Sequence, residues 1–256
     1  MPHLEVGGDR IFYTLHDAAR SARGHVPLIL VHGAGENHLV WPARLRRMPG
    51  ISVYAIDLPG HGKSGGSGRS SIAAYADWLE QALRALSLDR AVIVGHSMGG
   101  AIAQQFGLAY PAQTAALVLI ATGARLRVAP QILELTGSDL PAAADLISRL
   151  EWGPSTPEQM IRLGRQQLLA NRPEVMHGDY LACHAFDVVD RLGDIRAPTL
   201  VIGGTADQMT PPRYASFLAE RIAGAQLALI DAAGHMVMLE REEAVGRAVE
   251  EFLRDL

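Results

Sequence analysis

One serine stands where its hydroxyl could act as a nucleophile. Ser97 is flanked by Gly95 and Gly99, between an apolar run at residues 91–94 and an alanine-rich segment after Gly100. The apolar run predicts a buried strand, and the later segment predicts a helix. The Gly-x-Ser-x-Gly spacing is typical of a tight strand-to-helix turn that strains its central residue and leaves no room for side chains two positions away. Such a turn would lift the Ser97 hydroxyl clear of the sheet, beside the first N–H groups of the helix.

A serine hydroxyl needs a base to accept its proton, and the base needs a third group to fix its tautomer. His235 follows the last predicted strand, and Asp207 follows the strand before it. Because parallel strands bring their carboxyl ends to one edge of a sheet, these two residues could meet Ser97 there. His96 and Asp231 are the alternative base and acid, although adjacent residues in a tight turn point apart, which disfavours His96. The chemistry of such a triad is acyl transfer at a carbonyl group.

Strand-like and helix-like segments alternate through much of the chain. A hairpin is predicted at residues 6–13, and further strands are predicted at 27–31, 52–56, 91–94, 115–121, 198–204 and 226–230. Between residues 70 and 86 apolar side chains recur every three or four positions, which predicts an amphipathic helix capped by Ser70 or Ser71. The alternation predicts an α/β fold with a mostly parallel, doubly wound sheet.

The interval from about residue 123 to residue 190 contains no strand-like run, only helical segments interrupted by prolines. Prolines stand where helices could begin, at positions 130, 141 and 173, and Thr156 with Gln159 could form a capping box. We interpret residues 124–189 as a helical cap inserted after the sixth strand, between core segments 1–123 and 190–256. The alternative interpretation is that these helices cover the sheet like the others.

Length and composition restrict the class of protein. A chain of 256 residues is long enough for one large α/β domain with an insertion, and its formal net charge is only −4. The charges are interspersed, so we expect no nucleic-acid partner. The single cysteine, Cys183, excludes an intrachain disulfide and a multi-cysteine metal site. No segment has the roughly twenty apolar residues that cross a bilayer, and the first residues lack an export signal, so we expect a cytoplasmic protein without stable membrane insertion.

Five motifs together resemble those of the α/β-hydrolase superfamily. They are Val-His-Gly-Ala-Gly at 31–35, Asp-Leu-Pro-Gly-His-Gly-Lys-Ser at 57–64, Val-Gly-His-Ser-Met-Gly-Gly at 94–100, residues 203–211, and Gly-His at 234–235. The resemblance extends from about residue 4 to residue 255 and is weakest in the predicted cap. It implies the α/β-hydrolase fold, a mostly parallel twisted sheet with helices on both faces.

The resemblance also implies a role for each candidate site residue. Ser97 would be the nucleophile, His235 the general base and then the general acid, and Asp207 the orienting carboxylate. The oxyanion hole would be built from the backbone N–H groups of Met98 and Ala34. This chemistry uses no metal ion and no cofactor, and we expect neither.

Serine at position 97, rather than aspartate or cysteine, argues against dehalogenases, epoxide hydrolases and dienelactone hydrolases. The motifs are similar to those of esterases and monoacylglycerol lipases, and the compact length with a helical cap is similar to that of enol-lactonases. The resemblance therefore implies hydrolysis of a small-molecule carboxylic ester by a monomer or homodimer. A lactonase, a carbon–carbon bond hydrolase of a ring-cleavage product and a cofactor-free perhydrolase are alternatives. A ligand-binding receptor with the same fold is an alternative of another class.

The predicted cap is rich in Leu, Ile, Met and Ala, which indicates an apolar pocket for a small to medium substrate. The candidate substrate contacts are His32, Gly33, Trp41, Trp152 and Met176. His32 could instead hold its own loop. Glu36, beside the oxyanion loop, is expected to be structural or to influence the charge of the substrate that binds.

Overall fold

The computed structural model describes residues 2–17 and 26–256. Within these residues one sheet contains the strands β1 His3–Val6, β2 Asp9–His16, β3 Leu28–Val31, β4 Val53–Ile56, β5 Ala91–His96, β6 Thr114–Ile120, β7 Thr199–Gly204 and β8 Gln226–Ile230. Their spatial order is β1-β2-β4-β3-β5-β6-β7-β8. The pairs β1–β2 and β2–β4 are antiparallel, and all other neighbouring pairs of this sheet are parallel. The predicted hairpin and mostly parallel sheet are confirmed.

Helices connect the strands and cover both faces of the sheet. The α-helices are α1 Ala43–Arg46, α2 Ile72–Ala85, α3 Met98–Ala109, α4 Pro130–Ser138, α5 Leu140–Glu151, α6 Glu158–Leu169, α7 Pro173–Ala185, α8 Pro212–Arg221, α9 Val237–Glu240 and α10 Glu242–Arg254. Short 3-10 helices span His38–Val40 and Val189–Asp194. Ser71 caps α2, because its side chain accepts a hydrogen bond from the N–H of Ala74. The predicted cap of this helix is thus confirmed, with Ser71 as its residue.

The sheet divides the core into two apolar layers. Along β3, Leu28 and Leu30 pack into the layer beneath α1 and α10, whereas Ile29 and Val31 pack into the layer beneath α2, α3 and α8. Side chains of a strand alternate between faces, so a strand covered on both sides needs apolar residues at consecutive positions. This explains why the central strands appear in the sequence as uninterrupted apolar runs.

Four helices, α4 to α7, lie between β6 and β7 and are called here the inserted helices. They share a small apolar cluster of their own, which includes Ile132, Ile147 and Leu168. The two ends of the segment meet at an antiparallel bridge between Arg125 and Asp187, whose side chains form an ion pair at 2.6 Å. The segment therefore leaves the sheet and returns to it at nearly the same point.

The predicted capping box at Thr156 is wrong. Helix α6 begins one residue later, with Pro157 as its N-cap and no side-chain cap. The Thr156 hydroxyl instead donates to Oε2 of Glu240 at 2.8 Å, and the same oxygen accepts from the N–H of Gly153 at 2.9 Å. The hydroxyl therefore donates to a tertiary acceptor on α9 instead of accepting from a local N–H, and this bond ties the inserted helices to the end of the sheet.

Candidate active site

Ser97 occupies a strained turn between β5 and α3. Its backbone has φ 51° and ψ −114°, a region in which a side-chain-bearing residue is held at a cost of about 1–3 kcal/mol. A Cβ atom at Gly95 would lie 2.1 Å from the carbonyl oxygen of Gly99, and one at Gly99 would lie 2.0 Å from that of Val31. The two glycines are thus required by close backbone approach. The strained turn expected from the Gly-x-Ser-x-Gly spacing is present.

His235 and Asp207 meet at the same edge of the sheet. Nδ1 of His235 lies 2.9 Å from Oδ2 of Asp207, and both side chains are buried. Oδ1 of Asp207 accepts from the N–H groups of Met209 and Thr210, at 2.8 and 2.9 Å. Burial raises the pKa of Asp207, but the charge and hydrogen bond of His235 and the bonds from Thr210 outweigh it, so the pKa is lowered. The ionised carboxylate favours the His235 tautomer with the proton on Nδ1.

Asp231, the alternative acid, lies elsewhere. It is exposed, and its carboxylate accepts from the Thr205 hydroxyl at 3.2 Å. The partner of His235 is therefore Asp207.

A cavity of about 220 Å³ is lined by both Ser97 and His235. Nε2 of His235 is buried and has no hydrogen-bond partner in the described part of the chain, the Ser97 hydroxyl included. Hydrogen bonds of this kind are often long until a substrate is bound. Ser97 and His235 therefore line one cavity, and Asp207 is connected to it through its contact with His235, whose Nε2 has no partner among the described residues.

The two N–H groups expected to bind an oxyanion also lie at this edge. Ala34 lines the cavity, in the loop after β3, and Met98 is the first residue of α3. Within residues 2–17 and 26–256, neither backbone N–H donates a hydrogen bond. Unsatisfied N–H groups at a helix start favour negative charge nearby.

A buried ion pair supports the loop that contains Ala34. Oε2 of Glu36 accepts from the N–H of Gly33 at 2.6 Å and from Nδ1 of His96 at 3.0 Å. Nε2 of His96 donates to the carbonyl oxygen of His235 at 3.0 Å. Burial opposes charge on both side chains, but their mutual attraction outweighs it and leaves the pKa of Glu36 lowered and that of His96 raised. Both ring nitrogens of His96 are engaged, so it cannot act as the base.

A second buried carboxylate, that of Asp179 on α7, fastens the same loop to the inserted helices. Its Oδ2 accepts from the N–H of Gly35 at 3.1 Å and from Nε2 of His61 at 2.7 Å. Its Oδ1 accepts from the Tyr75 hydroxyl at 2.7 Å. Asn171 donates to the carbonyl oxygen of Gly35 at 2.6 Å. Both polar groups of the Gly35 peptide are thus held by side chains more than a hundred residues away, and the sequence analysis did not identify either.

His32 holds its loop, as one interpretation of the sequence expected. Its Nε2 accepts from the N–H of Leu58 at 3.0 Å, and its Nδ1 donates to the carbonyl oxygen of Gly33 at 2.8 Å. Complete burial and the nearby His61 lower the pKa of His32 to about 4, so the ring is neutral at pH 7. Asp57 also makes structural contacts: its Oδ1 accepts from the backbone N–H of His38 at 2.7 Å and from Nδ1 of the same residue at 2.8 Å.

The expected substrate contacts require correction. His32, Gly33, Trp41 and Met176 line neither this cavity nor a second cavity that adjoins it. The Trp41 side chain is fully buried beneath the sheet, and Met176 is fully buried in the cluster of the inserted helices. Trp152 does line a cavity, the second one. Large apolar side chains near the site serve mainly as core because they are needed to fill space between helices and sheet.

The second cavity, of about 380 Å³, adjoins the first and is mostly apolar. Its walls include Trp152, Met160 and Leu239. Two acidic residues, Glu36 and Glu151, lie in the walls of both cavities. The sequence did not indicate Glu151, the last residue of α5, as a residue of the site.

The strand order, the turn at Ser97 and the helices between β6 and β7 are those of the α/β-hydrolase fold. A sequence profile described as the alpha/beta hydrolase family matches residues 28–248, and the chain belongs to that family.

Named relatives are similar at modest identity. Monoacylglycerol lipase ABHD6 of Homo sapiens is 28% identical, and the match covers 91% of this chain and 77% of the lipase. A solved structure of a thermophilic esterase is 33% identical with a TM-score of 0.87, covering 99% of this chain and 97% of the esterase. Est816, described as an N-acyl homoserine lactone degrading enzyme, is 27% identical with a TM-score of 0.84, covering 98% and 100%.

Over residues 2–17 and 26–256, the helices include none with the length and apolar character needed to cross a membrane. The same residues contain no group of three or more His, Cys, Asp and Glu side chains arranged to hold a metal ion.

Proposed function

We propose that this protein is a serine hydrolase that cleaves carboxylic esters of small to medium, largely apolar molecules through an acyl-enzyme on Ser97. The observation that carries the proposal is the 2.9 Å contact between His235 Nδ1 and Asp207 Oδ2. It leaves the other ring nitrogen, Nε2, without a structural partner, and His235 lines the same cavity as Ser97. The family membership and the esterase and lipase relatives support the same reaction class.

In this mechanism the Ser97 hydroxyl attacks the ester carbonyl carbon while Nε2 of His235 takes the hydroxyl proton. The carbonyl oxygen becomes an oxyanion and accepts hydrogen bonds from the N–H groups of Ala34 and Met98. Collapse of the tetrahedral intermediate breaks the ester C–O bond, and His235 protonates the departing alcohol. Water then attacks the acyl-enzyme with His235 again as base, which releases the acid and restores Ser97. Asp207 stabilises the imidazolium formed in each half-reaction.

We further propose that residues 124–189 form a cap over this site. The bridge between Arg125 and Asp187 closes the base of the segment, as expected for an insertion. Leu126, Ile132 and Leu150 of this segment line the cavity and give it apolar walls. An apolar wall favours an acyl or alkyl chain over a charged group.

A lactone is the second candidate substrate. Ring opening of a lactone is the same acyl transfer, with the leaving alcohol kept on the acyl chain. The 27% identity to a lactone-degrading enzyme over nearly the whole chain favours testing it.

The proposal is tested with nitrophenyl esters of two to eight carbons, a lactone panel and a fluorophosphonate probe. We expect hydrolysis of the short esters, and one phosphonyl group added to the tryptic peptide that contains Ser97. Ser97→Ala should lower kcat by about 10⁵–10⁶ and abolish labelling.

Ser70→Ala, at an exposed serine outside both cavities, is the matched control and should react like the wild type. Labelling at another residue, or equal turnover by Ser97→Ala, would overturn the proposal. A protein that turns over no ester or lactone and takes up no probe would be assigned instead as a ligand-binding receptor.

A further inference from the structure

Glu151 is anchored to the active site through its own backbone. Its carbonyl oxygen accepts from the N–H groups of His235 and Met236, at 2.7 and 3.2 Å. The close packing continues next to it, because a Cβ atom at Gly234 would lie 2.7 Å from that same oxygen. The end of α5 is therefore fixed against the loop that positions the imidazole.

The Glu151 side chain is buried, with 6% of its surface exposed, and lies where the two cavities adjoin. In contrast to Glu36, Asp179 and Asp207, its carboxyl group has no hydrogen-bond or ion-pair partner among the described residues. A buried polar group without a partner costs free energy, and in most proteins each such group is satisfied. The carboxyl is thus available to whatever fills the cavities.

The surroundings of Glu151 oppose ionisation. Burial has the largest effect, the carboxylates of Glu36 and Asp207 add to it, and the imidazolium of His96 acts against it, so the pKa of Glu151 is raised to about 8. The remaining titratable or charged groups around this cavity are His235 on its own loop, Tyr180 and Cys183 on α7, Tyr214 on α8, and the exposed Arg127 at the start of the inserted segment. At pH 7 the carboxyl therefore carries a proton that it can donate.

We propose that Glu151 is a specificity-determining residue that hydrogen-bonds an uncharged polar group on the substrate, beside the scissile carbonyl, and disfavours substrates with a carboxylate there. The proposal rests on the serine-hydrolase function proposed above. Despite its burial, Glu36 has a pKa lowered by His96 and by the N–H of Gly33, so it has no proton to donate in such a hydrogen bond. A carboxylate on the substrate would meet both acidic side chains, and the repulsion would grow as Glu151 ionises.

Three nitrophenyl esters with acyl chains of similar length test the acyl side. They are the heptanoate, the glutarate methyl ester and the glutarate with a free carboxylate. A second pair tests the alcohol side, with acetate esters of 4-hydroxybutyrate and of its methyl ester. For each pair, the ratio of kcat/KM for the methyl ester to kcat/KM for the carboxylate is measured from pH 6 to pH 9. Any pH effect that acts equally on the hydrolysis of both members cancels in the ratio.

We expect the ratio in the wild type to rise about tenfold or more as pH increases through about 8, in at least one of the two sets. Glu151→Gln should fold normally and show a ratio independent of pH to within twofold, because its amide does not ionise. In Glu151→Leu, the ratio of kcat/KM for the methyl ester to kcat/KM for the heptanoate should be about three- to tenfold lower than in the wild type, because one hydrogen bond to the substrate is lost. Glu158→Gln, at an exposed glutamate of the inserted helices, is the matched control and should behave like the wild type.

The outcomes separate this proposal from the proposed function. Turnover that depends on Ser97, with a ratio independent of pH in both sets of wild-type measurements, overturns the role of Glu151 alone. A pH-dependent ratio that persists in Glu151→Gln overturns it as well. Absence of Ser97-dependent turnover of every ester would instead refute the hydrolase function.

Discussion

Replacing Asp207 by asparagine tests whether a single hydrogen-bond direction controls the chemistry. Oδ1 of Asp207 accepts from the N–H groups of Met209 and Thr210, so in the variant the amide carbonyl oxygen must occupy that position. The amide NH₂ then takes the place of Oδ2, 2.9 Å from Nδ1 of His235. A donor there makes Nδ1 an acceptor and moves the ring proton to Nε2. The imidazole can then no longer accept the proton of Ser97.

We expect kcat to fall about 10⁴-fold with little change in KM, which corresponds to about 5.5 kcal/mol of lost transition-state stabilisation. Steady-state hydrolysis of a nitrophenyl ester measures the change, with circular dichroism and thermal unfolding to verify that the variant is folded. Asp231→Asn is the matched control, because Asp231 is exposed and does not contact His235, and its kcat should stay within twofold of the wild type. A loss below tenfold for Asp207→Asn would show that the backbone donors do not fix the tautomer as argued.

Three further variants test the supports of the site. Gly95→Ala places a methyl group 2.1 Å from a backbone oxygen and should lower the free energy of unfolding by about 3 kcal/mol or more, measured by urea denaturation. Asp179→Asn leaves His61 and Gly35 facing an amide in a buried site, and should cost about 3 kcal/mol of stability and lower kcat about ten- to a hundredfold as the oxyanion loop shifts. For His32, the folded pKa of about 4 lies below the unfolded value near 6.5, so the unfolded chain binds the extra proton between these values. The wild type should therefore lose up to about 3 kcal/mol of stability as pH falls from 6.5 to 4, and His32→Gln should lose less.

Each of these three expectations has a result that contradicts it. Gly178→Ala is the control for Gly95→Ala, because nothing lies within 4 Å of its added Cβ atom and it should raise stability by about 0.5–1 kcal/mol. Equal effects of the two alanines would refute the argument from close approach. An Asp179→Asn enzyme with unchanged kcat would show that the loop is held without this carboxylate. Identical acid sensitivity of His32→Gln and the wild type would assign the titration to another group.

Local patterns in the sequence predict the sheet and the three site side chains. Apolar runs identify strands because each central strand is covered on both faces, and the motif at Ser97 identifies the turn because close backbone approach requires both glycines. His235 and Asp207 follow strands, and the parallel pairing of β7 and β8 is enough to bring them together. These features depend on neighbours in sequence or on adjacent strands.

The supports of the site could not be predicted because they cross between distant elements. Asp179 is the acceptor for Gly35, which lies 144 residues earlier, and that contact depends on how α7 packs over the loop. One local signal was present, since Asp179 is a carboxylate on the otherwise apolar face that includes Met176 and Tyr180. The hydrogen bonds that the Glu151 carbonyl oxygen accepts from the N–H groups of His235 and Met236 likewise depend on where α5 ends above the sheet. No periodicity in the sequence indicates that position.

The anchoring of Glu151 and Asp179 has a consequence for how this scaffold can acquire new substrates. One contributes a carbonyl to the loop that contains His235 and the other a carboxylate to the loop that contains Ala34, so under the proposed function residues 124–189 would contain part of the catalytic framework as well as the substrate walls. Grafting a foreign segment between β6 and β7 would succeed only if the donor supplied both acceptors at the same positions. Change by point substitution along the cavity walls, with these two anchors kept, is therefore the accessible route to altered selectivity.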